Sequence, residues 1–291
     1  MVTRRIQSPM ARSNDPAAAW LTHFQALCFM CLLAGCASLG KGVDSEAERL
    51  GFVRSTVPGS EFQHVIYMRA SLRFSDCLHV YLEGDGVPWT RPQWVSSDPT
   101  PRTPLALRLM ALDPHPSLYL GRPCYHGSSQ DPPCEPSLWT SARYSKRVVV
   151  SLENALRRSW GNTNPEIVLI GYSGGGTLAM LLAKRLPQMK GVVTIAGNLD
   201  TDGWARYHGY SPLIGSLNPA ELAPLRSGVY QLHLVGQRDR NIPPALIRPV
   251  VDRQPGALFR VIEGFGHACC WEKAWPRYLK EVVHETGCCE K

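Results

Sequence analysis

The chain has 291 residues, of which 44% are hydrophobic and 19% are charged, as is typical of a folded globular protein. This length fits one large α/β domain or two small ones. The formal net charge of +7 is spread along the chain without a run of five basic residues, so the sequence does not predict nucleic-acid binding.

The first 36 residues have the layout of a secretory signal peptide. Three arginines precede an apolar stretch from Ala17 to Ala34. The stretch runs into Leu33-Ala34-Gly35-Cys36, which resembles a bacterial lipobox, where the cysteine receives lipid and becomes the first mature residue. We therefore expect residues 1–35 to be a lipoprotein signal peptide and Cys36 to be the lipidation site. A plain signal peptide, an uncleaved anchor helix and a start at Met10 are the alternatives.

Ala37 follows the cysteine, which by similarity to lipoprotein sorting in diderm bacteria implies an outer-membrane anchor that faces the periplasm. Residues 36–61 are small, polar and charged, and we expect a tether that leads into a domain over residues 62–291. The ten cysteines include no CxxC pair, so disulfides in an oxidising compartment are a better interpretation than a zinc site.

The chain from 62 to 165 alternates between strand and helix patterns. Predicted strands cover Phe62–Ala70, Cys77–Leu82 and Ser117–Leu120, and predicted helices cover Leu105–Leu112 and Trp139–Trp160. The second strand runs into Glu83-Gly84-Asp85-Gly86, whose glycines allow a close backbone approach; an Asp-Gly turn between two strands is the alternative. Trp89 and Trp94 could line a pocket or pack a proline-rich loop onto the body.

The most informative stretch is Ile167–Leu182. Four apolar residues typical of a strand buried on both faces lead into Gly171-x-Ser173-x-Gly175, and a run of helix formers follows. Glycines on both sides of a serine leave room for a strand to reverse into a helix, which places the hydroxyl at the carboxyl edge of the sheet. A glycine-rich loop that only makes a tight turn is the alternative.

Three further strands are predicted at Gly191–Ala196, Val229–Val235 and Ala257–Glu263, and a closing helix at Trp271–His284. Polar residues follow each of these strands. Asp200 and Asp202 follow the first, Asp239 the second, and the glycine-bounded His267 the third. The segment 203–228 is long enough for a small cap only.

Together these motifs resemble the α/β-hydrolase superfamily over roughly residues 62–285. The resemblance implies a mostly parallel central sheet with helices on both faces and a small cap at most. It implies Ser173 as nucleophile, His267 as base and Asp239 as acid, in that chain order. Asp200 or Asp202 is the alternative acid.

The resemblance also implies an oxyanion hole. Gly174 follows the nucleophile, and the loop of Asp85 takes the place where the superfamily commonly has histidine. We expect the backbone amides of Asp85 and Gly174 to be the donors. The Asp85 carboxylate should point away from the oxyanion, towards an arginine, because two negative charges would repel each other.

Two cysteine pairings follow from this layout. Cys124 and Cys134 bracket a polar loop after a strand, and we expect a disulfide that holds a wall of the active-site entrance. A bond from Cys269 or Cys270 to Cys288 or Cys289 would pin the closing helix beside His267.

The resemblance thus implies a serine hydrolase that cleaves a small-molecule carboxylic ester through an acyl-enzyme, with neither cofactor nor metal. Its further partner is the membrane, through the N-terminal lipid. Thioesterase and peptidase activities are alternatives within the enzyme class, because one fold hosts many chemistries. A non-catalytic envelope lipoprotein that uses the fold as a binding scaffold is the alternative outside it.

Overall fold

The computed structural model describes residues 41–72 and 76–290. The predictions for residues 1–35 and for Cys36 lie outside the described residues.

An eight-stranded sheet forms the centre of the fold, in the order β1-β2-β6-β3-β7-β8-β9-β10. Only β2 runs against the other strands. A separate two-stranded hairpin is formed by β4 and β5. The strands are β1 Phe52–Pro58, β2 Gln63–Arg69, β3 Cys77–Leu82, β4 Trp89–Arg91, β5 Trp94–Val95, β6 Ser117–Leu120, β7 Glu166–Tyr172, β8 Met189–Ile195, β9 Tyr230–Gly236 and β10 Leu258–Ile262.

Helices cover both faces of this sheet, as predicted. They are α1 Lys41–Arg49, α2 Leu105–Ala111, α3 Lys146–Ser159, α4 Gly174–Ala183, α5 Thr201–His208, α6 Pro244–Val251 and α7 Trp271–Thr286, with 3-10 turns at Pro136–Trp139 and Pro219–Glu221. One core packs α3, α4 and α6 against the sheet, and the other packs α1, α2 and α7 against its opposite face. No helix in the described part of the chain combines the length and the hydropathy that a bilayer crossing requires.

The buried centre follows from the apolar runs of the sequence. Ile167–Ile170 of β7 are at most 1% exposed, because the strand has hydrogen-bonded neighbours on both sides and helices above and below. All ten residues of α4 are buried, which explains why its sequence is apolar on every side. These two elements hold Ser173 between them.

The predicted tether over residues 36–61 is wrong for residues 41–58. This segment forms α1 and β1, and β1 pairs antiparallel with β2 along its whole length. Val43 and Ala47 of α1 are buried one helical turn apart, and Phe52 and Val57 of β1 are buried in the two opposite cores. The charged residues around them concealed both elements in the sequence. The ordered domain therefore begins well before residue 62.

The single helix predicted over Trp139–Trp160 is also wrong. A 3-10 turn ends at Trp139, and α3 begins only at Lys146, after the Ser145 side chain caps it by accepting a hydrogen bond from the Val148 amide at 3.4 Å. The intervening turn carries Arg143 and Tyr144 towards the carboxyl edge of the sheet.

The disulfide between Cys124 and Cys134 is present, as predicted, with its Cα atoms 5.6 Å apart. The predicted link between the pairs Cys269–Cys270 and Cys288–Cys289 is wrong. Cys269 bonds to Cys270, and Cys77 on β3 lies within bonding distance of both Cys288 and Cys289. Because a sulfur atom forms one disulfide, Cys77 joins the C-terminus to the centre of the sheet through either of its two neighbours.

Candidate active site

Ser173 lies in a strained turn between β7 and α4. Its backbone has φ +52° and ψ −119°, a conformation that L-residues rarely adopt. The turn closes only because Gly171 and Gly175 lack side chains: a Cβ at Gly171 would overlap the carbonyl of Gly175, and one at Gly175 would overlap the carbonyl of Leu82. The glycines of the motif are therefore explained by the close approach of three backbone segments.

The side chains of Ser173, His267 and Asp239 form one hydrogen-bonded chain. His267 Nε2 lies 3.0 Å from Ser173 Oγ, and His267 Nδ1 lies 2.8 Å from Asp239 Oδ2. The Asp239 carboxylate is fully buried, whereas the His267 side chain is 23% exposed and borders the cleft. This is the arrangement in which an imidazole can accept a proton from the serine while a carboxylate holds its orientation.

The second oxygen of Asp239 fixes the loop after β9. Asp239 Oδ1 accepts hydrogen bonds from the amides of Asn241 at 2.9 Å and Ile242 at 2.8 Å. The alternative acids point elsewhere: Asp200 caps α5 by accepting a hydrogen bond from the Gly203 amide, and both Asp200 and Asp202 face Asn218.

Asn241 is a member of the site that the sequence analysis missed. Its side-chain amide donates to His267 Nε2 at 3.1 Å and its side-chain oxygen accepts from the Trp204 indole at 3.2 Å. With both Asn241 and Ser173 donating to Nε2, the proton of a neutral His267 lies on Nδ1, facing Asp239. A polar residue two positions after the predicted acid was the only signal in the sequence.

Two backbone amides beside Ser173 are free for an oxyanion. Neither the Asp85 amide nor the Gly174 amide forms a hydrogen bond with any residue that the structure describes. A Cβ placed on Gly84 would lie 3.3 Å from Ser173 Cβ, so the loop after β3 passes directly beside the serine. Gly174 is the first residue of α4, where the helix dipole favours negative charge.

The Asp85 carboxylate lies in a buried cluster that includes two arginines, as predicted. It pairs with Arg122 Nη2 at 2.7 Å and Arg143 Nη1 at 3.0 Å, and accepts from the Tyr144 hydroxyl at 2.6 Å. The Tyr125 hydroxyl donates to the Asp85 carbonyl at 3.0 Å. We call Asp85 and these four partners the Asp85 cluster.

Burial alone would raise the pKa of the Asp85 carboxyl, but the charges of Arg122 and Arg143 hold it below its usual range. With one carboxylate between two guanidinium groups, the Asp85 cluster carries a surplus positive charge.

Glu83, two residues earlier, is a second buried carboxyl group. Its two oxygens accept hydrogen bonds from the amides of Gly84 at 3.0 Å and Ala106 at 2.9 Å, which ties the loop to the start of α2. Burial nevertheless raises the pKa of Glu83 to about 7. The Glu83 carboxyl group therefore changes charge near neutral pH, two residues before the free amide of Asp85.

An open cleft of about 1050 Å³ leads from the surface to Ser173 and His267. The hairpin of β4 and β5 contributes Trp89 to its wall, and the segment after α5 contributes Tyr210 and Leu213, so this segment forms the small cap that was predicted. The Cys124–Cys134 loop is absent from the described lining, so the prediction that it forms a wall of the entrance is wrong. It lies behind the Asp85 cluster instead, because Arg122 and Tyr125 flank Cys124 in the chain.

Two groups of side chains in the described residues have the proximity that metal binding requires. They are Cys77, His79, Cys288 and Cys289, and His79, Asp113 and His115. None of them lines the cleft. A disulfide from Cys77 uses thiolates that a metal would need, and the Asp113 carboxylate is already hydrogen-bonded to both histidines and to the Tyr81 hydroxyl.

No protein-family profile and no curated protein matches the sequence. Solved structures do match its fold. A bacterial membrane phospholipase A superposes with a TM-score of 0.60 at 15% identity over 91% of this chain and 98% of its own. An esterase from Pyrococcus furiosus superposes with a TM-score of 0.57 at 12% identity, over 81% of this chain and 92% of its own. A proline iminopeptidase from Mycobacterium smegmatis superposes with a TM-score of 0.57 at 14% identity, over 79% of this chain and 96% of its own. The chain has the fold of the α/β hydrolases.

Proposed function

We propose that this α/β-hydrolase-fold protein is a serine hydrolase that cleaves carboxylic esters through an acyl-enzyme. The observation that carries the proposal is the hydrogen-bonded chain of Ser173, His267 and Asp239 beside two backbone amides that have no partner among the described residues. Serine needs such a base because its hydroxyl is a weak nucleophile at neutral pH.

In the proposed reaction, Ser173 Oγ attacks the ester carbonyl while its proton passes to His267 Nε2. Asp239 stabilises the resulting imidazolium through Nδ1. The amides of Asp85 and Gly174 donate to the oxyanion of the tetrahedral intermediate. His267 then protonates the leaving alcohol, the acyl group stays on Ser173, and a water molecule activated by His267 releases it as the acid.

The form of the cleft supports an ester with a sizeable apolar group. Its lining includes Trp89, Tyr210 and Leu213 together with several prolines, which favour apolar contacts. Of the three structures compared above, two have names that specify ester cleavage, an esterase and a phospholipase, whereas the third is a peptidase. Amide cleavage is therefore the alternative that a substrate comparison should include.

The test is covalent labelling with a fluorophosphonate probe together with turnover of p-nitrophenyl esters. Ser173→Ala should abolish both and leave the thermal melt unchanged. Ser211→Ala is the matched control, because Ser211 lines the same cleft without a hydrogen bond to a described residue. Full turnover by Ser173→Ala would contradict the proposal, and a wild-type protein that binds esters without labelling or turnover would favour the binding scaffold.

We also propose that the protein is anchored to the cell envelope by a lipid on Cys36, in the outer membrane and facing the periplasm. The lipobox-like Leu33-Ala34-Gly35-Cys36 supports this location. Cys36→Ser should block lipid addition, so that mass spectrometry finds an unprocessed precursor or a protein released from membranes. An unmodified mature N-terminus at another residue would contradict it.

A further inference from the structure

Exposed apolar side chains are concentrated in two segments of the chain that also contribute to the lining of the cleft. We define the rim as residues 86–95 and 204–217. It holds seven of the eleven large apolar side chains that are exposed in the described part of the chain: Trp89, Trp94, Val95, Tyr207, Tyr210, Ile214 and Leu217. Ile214 is 77% exposed and Trp94 65%. A patch of this kind marks a surface that binds something.

The rim is continuous with the catalytic cleft. Trp89 and Pro92 of its first segment and Trp204, Tyr210 and Pro212 of its second line the cavity above Ser173. Whatever covers the rim is therefore placed directly over the opening through which an ester must enter.

The charged side chains of the rim are all basic. Neither segment contains an aspartate or a glutamate. Arg91 and Arg206 are exposed, and neither forms an ion pair with a described residue; Arg91 lies 5.6 Å from the ring of Trp94. Arg102, exposed and likewise without an ion pair to the described part, lines the same cleft. The rim thus complements a negatively charged partner.

Tryptophan and tyrosine beside unpaired arginine, with no acid, are the composition of protein surfaces at a membrane interface. The indole and phenol rings place apolar area among acyl chains and a polar atom among head groups, while each arginine meets anionic phosphate. We propose that the rim docks onto an anionic phospholipid surface and that the ester cleaved by Ser173 belongs to a membrane lipid. The second half of this proposal rests on the proposed function, whereas the docking does not.

The docking is tested by quenching of tryptophan fluorescence with brominated phosphatidylglycerol vesicles. The full chain is compared with Trp94→Phe, so that the difference between the two signals reports Trp94 alone, whatever else anchors the protein. We expect that difference signal on brominated vesicles to be at most about half of its value on non-brominated vesicles of the same charge. Ser173→Ala should give the same quenching, which separates docking from catalysis.

Partitioning and kinetics complete the test. Arg91→Gln and Arg206→Gln should each weaken vesicle binding about fivefold at low salt, since one basic residue near an anionic surface contributes about that factor. Ile214→Ser should reduce turnover of an ester presented in phosphatidylglycerol vesicles about tenfold or more and leave turnover of a soluble short-chain ester unchanged. Val261→Ser is the matched control, because Val261 is 42% exposed on β10, at the far edge of the sheet.

Three outcomes would overturn the proposal. One is a Trp94 signal that stays unquenched while the protein is bound to the vesicles. Another is equal loss of vesicle turnover in Ile214→Ser and Val261→Ser. The third is a dimer that dissociates when Trp94 or Ile214 is replaced, which would assign the rim to a protein interface. An unquenched Trp94 in an enzyme that Ser173→Ala inactivates would refute the docking and leave the proposed function intact.

Discussion

Asp85→Asn offers a sharp test of how the loop after β3, which carries the proposed oxyanion donor, is held. The substitution keeps the shape of the side chain but removes the charge that lies 2.7 Å from Arg122 and 3.0 Å from Arg143. Two guanidinium groups, both less than 7% exposed, then lack a counter-charge. Breaking a buried ion pair in this way costs about 3–5 kcal/mol.

That cost translates into a measurable loss of thermal stability. In a protein of this size each kcal/mol shifts the melting temperature by roughly 2–4 °C, so we expect Tm to fall by roughly 6–20 °C. The loss of the fixed loop should also displace the Asp85 amide. Removal of one oxyanion donor lowers kcat by about 10²–10³ fold, and we expect Asp85→Asn, assayed well below its Tm, to fall in that range.

The control is Asp131→Asn, since Asp131 is exposed and its side chain makes no hydrogen bond to the described residues. Asp85→Asn combined with Arg122→Gln should recover part of the lost stability, because it restores the charge balance. If Asp85→Asn keeps its Tm within 2–3 °C and its kcat within about threefold, the Asp85 cluster does not hold the loop and this reasoning is wrong.

Three further predictions follow from the site. Asp239→Asn should lower kcat in a p-nitrophenyl ester assay by about 10⁴ fold, because His267 would then adopt the wrong tautomer, whereas Asp200→Asn should change kcat little. A larger loss of kcat in Asp200→Asn than in Asp239→Asn would show that Asp239 is not the acid. Cys124→Ser should lower the free energy of unfolding by about 2–3 kcal/mol in a denaturant titration. It should also lower kcat more than it raises KM, because the Cys124–Cys134 loop supports Asp85 and does not contact the substrate; an effect on KM alone would contradict this. The pKa of Glu83 is about 7 in the folded protein, compared with an ordinary value of 4.5 that applies to the unfolded chain. The folded state therefore binds the proton of this carboxyl group more tightly than the unfolded state does. Stability should therefore fall between pH 4.5 and 7, by up to about 3 kcal/mol, and Glu83→Gln should flatten that part of the profile measured by urea unfolding.

The sequence predicted the elements that have a local signature. The strand–turn–helix around Ser173 was visible because buried strands, glycines at tight turns and helix formers each leave a pattern. Asp239 and His267 could be placed because both follow strands of the same parallel sheet. Even the pairing of the Asp85 carboxylate with arginine was predicted from electrostatics alone.

Other features depend on contacts between distant residues and could not be predicted. The cap residue Ser145 marks the start of α3, but the position of Arg143 in the preceding turn depends on a carboxylate 58 residues away. The pairing of β1 with β2 gives order to a charged segment that had been interpreted as a tether. The cysteine pairs were misassigned because residue 77 meets residues 288 and 289 only when the closing helix returns across the sheet.

The contact between Gly174 and the Asp85 cluster restricts which residues can occupy these positions in proteins with this site. A Cβ on Gly174 would overlap both the Asp85 carboxylate and the Tyr144 hydroxyl. The residue after Ser173 and the residue at position 85 are therefore expected to covary. A homologue that keeps an aspartate held by two arginines should have glycine after its serine, and a homologue with a larger residue there should have lost the aspartate. Such a linked pair would identify members of this lineage where overall identity is too low to do so.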